Sequence, residues 1–156
     1  VRTGERLVLF IATTGLSALR RVPAGPGTIG TVVGGLPAYV VLAMLPPPLA
    51  ALGGLAVVLL AVWAAGRAEQ LLGLHDPPIV TVDEVAGFLV TMAGVPAEPR
   101  YVIAGLLLFR LFDIVKPFPA GRIDRDLPGG WGTVLDDCAA GLYGWLALSG
   151  LRWLGF

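Results

Sequence analysis

IGTVVGGLPAYVVLAML (Ile29–Leu45), then Pro46-Pro47-Pro48, then LAALGGLAVVLLAVWAAG (Leu49–Gly66), forms two apolar runs around a proline break, with no charged side chain from Val22 to Gly66. Each run is about the length needed to cross a hydrocarbon core of ~30 Å. The competing reading is a pair of helices buried in a soluble bundle. A chain of 156 residues has too little interior to hide so much apolar surface, which favours the membrane. Composition agrees: 56% hydrophobic, 14% charged and a mean hydropathy of +0.81 lie on the apolar side of ordinary globular domains.

Outward from these runs the pattern stays helical, with little strand-like alternation. It predicts helices over roughly 5–19, 28–45, 49–72, 81–94, 100–116 and 133–150, separated by Pro and Gly clusters. No repeat or domain-length linker interrupts them, so residues 1–156 read as one domain. The expected fold is all-α, a polytopic membrane bundle of five or six helices. Arg2, Arg6 and the apolar Leu7–Ala12 run suggest a signal peptide, but no small-x-small cleavage site follows and Arg20-Arg21 closes the run. It reads as a retained interfacial helix. Net charge is zero and no basic tract exists, which argues against nucleic acid as a partner. Cys138 and His75 are each the sole residue of their type, so neither an internal disulfide nor a Cys/His metal knuckle can form.

Five carboxylates sit inside or beside these apolar segments: Asp83, Glu84, Asp113, Asp136 and Asp137, accompanied by Arg110 and the sole lysine, Lys116. One charge at the centre of a membrane helix costs ~2.5–3.5 kcal/mol. Five unpaired carboxylates would cost on the order of 15 kcal/mol, above typical domain stability. They are expected near the membrane surface, neutralised by a divalent metal, and such a cluster beside Arg and Lys suggests phosphate chemistry on a lipid. Threading the helices out and back brings Pro26–Gly30, Asp83/Glu84, Arg110/Asp113/Lys116 and Asp136/Asp137 to one side. Arg20, Arg21, Arg67, Lys116, Arg122 and Arg125 share that side, so the positive-inside rule makes it cytoplasmic. Helices beginning near Thr28, Thr81 and Thr133 would aim their N-terminal amides at the same region, which favours anions.

Each motif has a plainer reading. Pro26–Thr31 (PGTIGT) offers close backbone approach at Gly27 and hydroxyls at Thr28 and Thr31 for phosphate, or is a Thr-capped loop. Thr81-x-x-Glu84 is a capping box that would employ Glu84 on a backbone amide, whereas Asp83 has no such duty. Arg110, Asp113 and Lys116 fall on nearly one helix face, as a phosphate clamp or an ion triad, and Pro117 ends the helix. Thr133 with Asp136 resembles another cap, while Asp137 shares a face with the small residues Gly141 and Gly144. Trp131 suits an interfacial anchor, His75 a surface loop or a proton relay, and Arg122–Asp126 a solvated amphipathic segment that steers anionic lipid.

Other phosphate chemistries fail on inventory. Six residues beyond Cys138 stands Gly144 where a cysteine phosphatase needs Arg; one histidine cannot serve a two-histidine lipid phosphatase; no Walker A loop and no Asp-Gly-x-x-Ala-Arg motif occurs. PGTIGT (Pro26–Thr31), VDEVAGF (Val82–Phe88), RLFDIVKPFP (Arg110–Pro119) and GGWGTVLDDCAAG (Gly129–Gly141) together, in order, resemble the phosphatidylglycerophosphatase A family. The resemblance covers most of the chain and extends to the Leu-His-Asp triplet at His75. It implies a magnesium-dependent phosphatase of the bacterial inner membrane that converts phosphatidylglycerophosphate, an anionic phospholipid, to phosphatidylglycerol. It also implies an all-helical fold.

The expected assignment follows. Asp83, Glu84, Asp113, Asp136 and Asp137 hold one or two Mg²⁺; a water attacks phosphorus in line, with Asp137 or Glu84 as base, the competing route being a covalent phospho-aspartyl intermediate. Arg110 and Lys116 stabilise the transferring group, with Gly27, Thr28 and Thr31 cradling phosphate. The different-class alternative is a small ion or metabolite carrier built on the same charged cluster. Clustering of the charges on one side, away from the first two spans, argues against it.

Overall fold

The computed structural model describes residues 3–15 and 25–156. These form helices and no strand: α1 Thr3–Ala12, α2 Pro26–Ala43, α3 Pro47–Leu72, α4 Val82–Thr91, α5 Pro99–Val115, α6 Ala120–Asp126 and α7 Gly130–Trp153. Arg2, Arg20, Arg21 and the last residues of the helix expected over 5–19 lie outside the described residues. Within them that helix stops early, because Thr14 and Gly15 take positive φ and the Thr13 hydroxyl folds back on the Leu9 carbonyl. The solvated amphipathic segment expected at 122–126 is the short helix α6, with Arg122, Arg125 and Asp126 exposed.

α2 carries a proline in its interior. Pro37 has no N–H for the ladder and its ring would meet the carbonyl one turn back. The helix answers by widening to π geometry over Thr31–Gly35, with the Leu36 amide reaching the Thr31 carbonyl. Pro46 then holds an extended conformation and Pro47 starts α3, where a missing N–H is harmless. Gly73 at φ 66 ends α3 in the left-handed turn that glycine adopts without strain.

α2 and α3 are long and apolar enough to cross a bilayer, and only 28% and 22% of their apolar stretches are buried within the chain. That exposure disfavours the soluble-bundle reading, in which such helices would be buried. α4 departs from the expected span over 81–94. Its 10 residues rise about 15 Å, half of a hydrocarbon core. It is enclosed instead by α1, α2, α3, α5 and α7, and Val85, Ala86, Phe88 and Leu89 are buried there.

Small residues make this enclosure possible. A Cβ at Gly141 would strike the Gly87 carbonyl, and one at Gly87 would strike the Asp137 carbonyl and the Phe109 ring. The Thr91 hydroxyl closes the crossing at 3.1 Å from the Gly141 carbonyl. The seam expected at Gly141 and Gly144 is thus real, and it sets Asp137 against α4. Gly141→Val should lower the thermal midpoint, since overpacking a tight contact costs about 1–3 kcal/mol. Gly150→Ala, whose new methyl meets nothing within 4 Å, should not. Thermal melts followed by circular dichroism compare the two.

The bundle has two unlike ends. At one, Tyr39 donates to the Val95 carbonyl at 2.9 Å and Tyr101 to that of Phe156 at 3.1 Å. An apolar crevice of about 570 Å³ opens there between Tyr39, Leu45, Pro47, Met92 and Val95. At the other end α2, α4 and α7 all begin, and the carboxylates gather.

Candidate active site

α4 and α7 supply the buried acids. Asp83 is 6% exposed, Asp136 3% and Asp137 4%. In each adjacent pair the first carboxylate turns back on the next amide: Asp83 Oδ1 accepts from the Glu84 N–H at 3.0 Å, and Asp136 Oδ1 from that of Asp137 at 2.9 Å. Asp83 and Glu84 lie in the first turn of α4, where amides and dipole favour negative charge, whereas Asp136 and Asp137 lie one turn further into α7.

Two basic side chains reach into the cluster. Arg110 Nη1 lies 3.0 Å from Glu84 Oε1 and 2.7 Å from Asp113 Oδ2. Lys116 Nζ lies 2.6 Å from Asp136 Oδ2 and 3.2 Å from Asp124 Oδ2. Three of the five expected ligands therefore have an internal cation. Asp83 and Asp137 do not: no basic group among the described residues reaches them, and Asp137 Oδ2 is buried without a hydrogen-bond partner. Asp83, Asp113 and Asp136 all act electrostatically on Asp137. Hard oxygen donors, a surplus of buried negative charge and one orphaned oxygen fit a hard divalent cation. As placed, no three Asp, Glu, His or Cys side chains among the described residues form a metal-holding group.

Several local expectations are corrected. The capping box does not form, because the Thr81 hydroxyl pairs with that of Thr14 at 2.9 Å and its amide with the Ala12 carbonyl. Glu84 is released to Arg110. Thr133 is no cap either: α7 begins at Gly130, so Thr133 lies within the first turn. α2 likewise starts at Pro26, not Thr28. Lys116 leaves the Arg110/Asp113 face altogether. At φ 45 it is left-handed, a conformation costing ~1–2 kcal/mol outside glycine, and it swings the amine toward α7.

The PGTIGT turn lies against the acids. Gly27 is bare where a Cβ would collide with the Glu84 carboxylate, and the Thr31 hydroxyl sits 3.1 Å from the Gly27 carbonyl and 3.4 Å from Glu84 Oε2. Thr28 is half-buried on the same turn and adds no side-chain hydrogen bond among the described residues. Trp131 is exposed, as an interfacial anchor would be.

Two participants escaped the sequence reading. Asp124, on the solvated segment, holds Lys116. Glu69 is buried on α3, where it accepts from the Thr133 hydroxyl and, at 3.3 Å, from the Asp76 amide. Its signal was present: Ala61, Ala65 and Glu69 are spaced by four, so Glu69 continues the buried stripe of its helix. Outside the spans, the Asp124 carbonyl at His75 Nε2 raises the imidazole's pKa; burial opposes this, and Glu69 adds to it. Burial disfavours the charged Lys116 amine, but Asp136 and then Asp124 outweigh it and raise its pKa.

The family model of phosphatidylglycerophosphatase A matches residues 10–152. A Bacteroides thetaiotaomicron protein named putative phosphatidylinositol-3-phosphatase is 35% identical, over 85% of this chain and 86% of its own. Phosphatidylglycerophosphatase A of Escherichia coli is 31% identical, over 77% and 70% of the two chains. Its Haemophilus influenzae counterpart is 30% identical, over 76% and 73%. No solved structure matches. Four motifs meeting at one end of a helical bundle, and a family match across nearly the whole chain, lead to one conclusion: the chain belongs to the phosphatidylglycerophosphatase A family.

Proposed function

We propose that this protein is a magnesium-dependent lipid phosphatase that hydrolyses phosphatidylglycerophosphate to phosphatidylglycerol and inorganic phosphate, from a cytoplasmic-facing site in the bacterial inner membrane. The observation that carries this reading is the buried pair Asp83 and Asp137, which meets no basic side chain among the described residues, beside Arg110 and Lys116. Asp83 and Asp137, with Asp113 and Asp136 next to them, would hold the cation. A bound Mg²⁺ there supplies neutralisation of the phosphate oxygens and a lowered pKa for water. Arg110 and Lys116 orient the phosphate and stabilise the charge it gains in the transition state. Glu84 is suited to take the water's proton: Oε1 is tied to Arg110 but Oε2 meets only the long Thr31 contact. Gly27 and Thr31 line the entrance beside it.

The membrane assignment rests on α2 and α3 and on the exposed leucine and isoleucine side chains of α5, among them Ile103, Leu107, Leu111 and Ile114. Acyl chains would stay among these faces while the headgroup reaches the acids. Orientation follows the basic residues: Arg67, Lys116, Arg122 and Arg125 lie at the site end, Arg100 and Arg152 at the other.

The test is phosphate release by the purified protein from phosphatidylglycerophosphate and, in parallel, phosphatidylinositol 3-phosphate, the substrate class in the name of the Bacteroides relative. Faster turnover of the first is expected. Preference for the second would move the substrate assignment. Solute flux in sealed vesicles without phosphate release would favour a carrier. Lys116→Ala should lower kcat/KM about tenfold to a hundredfold, through a raised KM and a lowered kcat together, as loss of a charge-assisted phosphate contact that strengthens in the transition state does. Unchanged kinetics would place Lys116 outside the site.

A further inference from the structure

Lys116 stands at a helix end in a strained backbone conformation, so its amine is placed by what holds it. Two carboxylates do: Asp136 on α7 and Asp124 on α6. Glu69, on α3, touches neither directly, yet it contacts the support of each. Its Oε1 accepts from the hydroxyl of Thr133, one helical turn before Asp136. Its Oε2 lies 3.6 Å from His75 Nδ1, and His75 Nε2 lies 3.3 Å from the backbone carbonyl of Asp124. Both ring nitrogens thus face acceptors, and the imidazole ties the end of α3 to α6. Glu69 thus reaches Lys116 from two sides: through Thr133 and one turn of α7 to Asp136, and through His75 and the Asp124 backbone to the Asp124 carboxylate.

A buried carboxylate is costly unless it is hydrogen-bonded. Glu69 is 9% exposed and accepts from a hydroxyl and, from Asp76, an amide. Both of those donors meet Oε1, a duty that a neutral amide oxygen would also meet, so the charge itself is left to Oε2, which faces His75. We infer that Glu69 is a positioning residue for Lys116, bracing through Thr133 and His75 the two carboxylates that hold the amine at the phosphate. The inference rests on the reading of Lys116 as a phosphate contact given above.

The experiment is a mutant cycle on the full-length protein in detergent–lipid micelles, assayed with phosphatidylglycerophosphate. Glu69→Gln keeps the volume and an acceptor for Thr133 but removes the charge that faces His75. It should lower kcat/KM about tenfold, the lower range for substitutions behind a site's contacting groups. In a Lys116→Ala background the same change should cost less than about twofold, because the group it positions is gone. A purely structural Glu69 would cost the same in both backgrounds, and that result, or no loss in either, overturns the inference. If Glu69→Gln fails to fold, His75→Gln, on a half-exposed loop ring, enters the same cycle with the same expected outcome. Lys116→Ala with wild-type kinetics would instead refute the phosphate role of Lys116 itself, a separate failure visible before any Glu69 variant is read.

Discussion

Asp83→Asn and Asp137→Asn should each reduce phosphate release at least about a thousandfold while leaving the protein as stable as before, or more so. The two halves of this result have one cause. Both carboxylates are buried, neither meets a basic partner among the described residues, and one Asp137 oxygen has no hydrogen bond. Without a counter-charge they repel each other and lose hydration. An amide of the same shape relieves that repulsion. A gain of only 1 kcal/mol would raise the midpoint of a chain this size by about 2–4 °C. Loss of activity together with a collapsed midpoint would mean that the acids hold the fold. Asp136→Asn should behave differently, because it removes the partner of Lys116 at 2.6 Å and so lowers the midpoint.

The second large effect concerns the cation. Mg²⁺ should raise the wild-type thermal midpoint in a concentration-dependent way. Binding to the folded state alone adds about 2.7 kcal/mol at a hundredfold excess over Kd. In Asp137→Asn the shift should shrink severalfold, since the orphaned oxygen that asks for a cation is gone. Ca²⁺, with the same preference for oxygen but a larger and looser shell, should bind with less catalysis. Equal midpoint shifts in wild type and Asp137→Asn would place the ion elsewhere.

Much of this arrangement was legible in the sequence because membrane-length apolar runs leave few places for charge. Once Ile29–Leu45 and Leu49–Gly66 are read as helices, the motifs at Pro26, Asp83, Arg110 and Asp136 fall at one end by alternation alone. The Asp137–Gly141–Gly144 face was legible from helical spacing, and the α4–α7 crossing uses it. Partner choice was not legible. Local rules offered helix caps as the plainer roles of Glu84 and Thr133, and tertiary contacts from Arg110 and Glu69 take both instead. Lys116 departs from the Arg110 face because i, i+6 spacing holds only while a helix continues, and this one ends at Val115. The length of α4 was overestimated for a related reason: Met92–Val95 is as apolar as a helix but turns at Gly94, φ 68.

The central claim is that Asp83 and Asp137 hold a divalent cation with which Arg110 and Lys116 process a lipid phosphate. Its most direct measurement is inorganic phosphate released from phosphatidylglycerophosphate by the purified protein, in Mg²⁺, in EDTA, and in EDTA followed by excess Mg²⁺. The account predicts turnover in the first, none in the second and recovery in the third, with Asp137→Asn silent throughout. Undiminished turnover in EDTA, or an active Asp137→Asn, would contradict it.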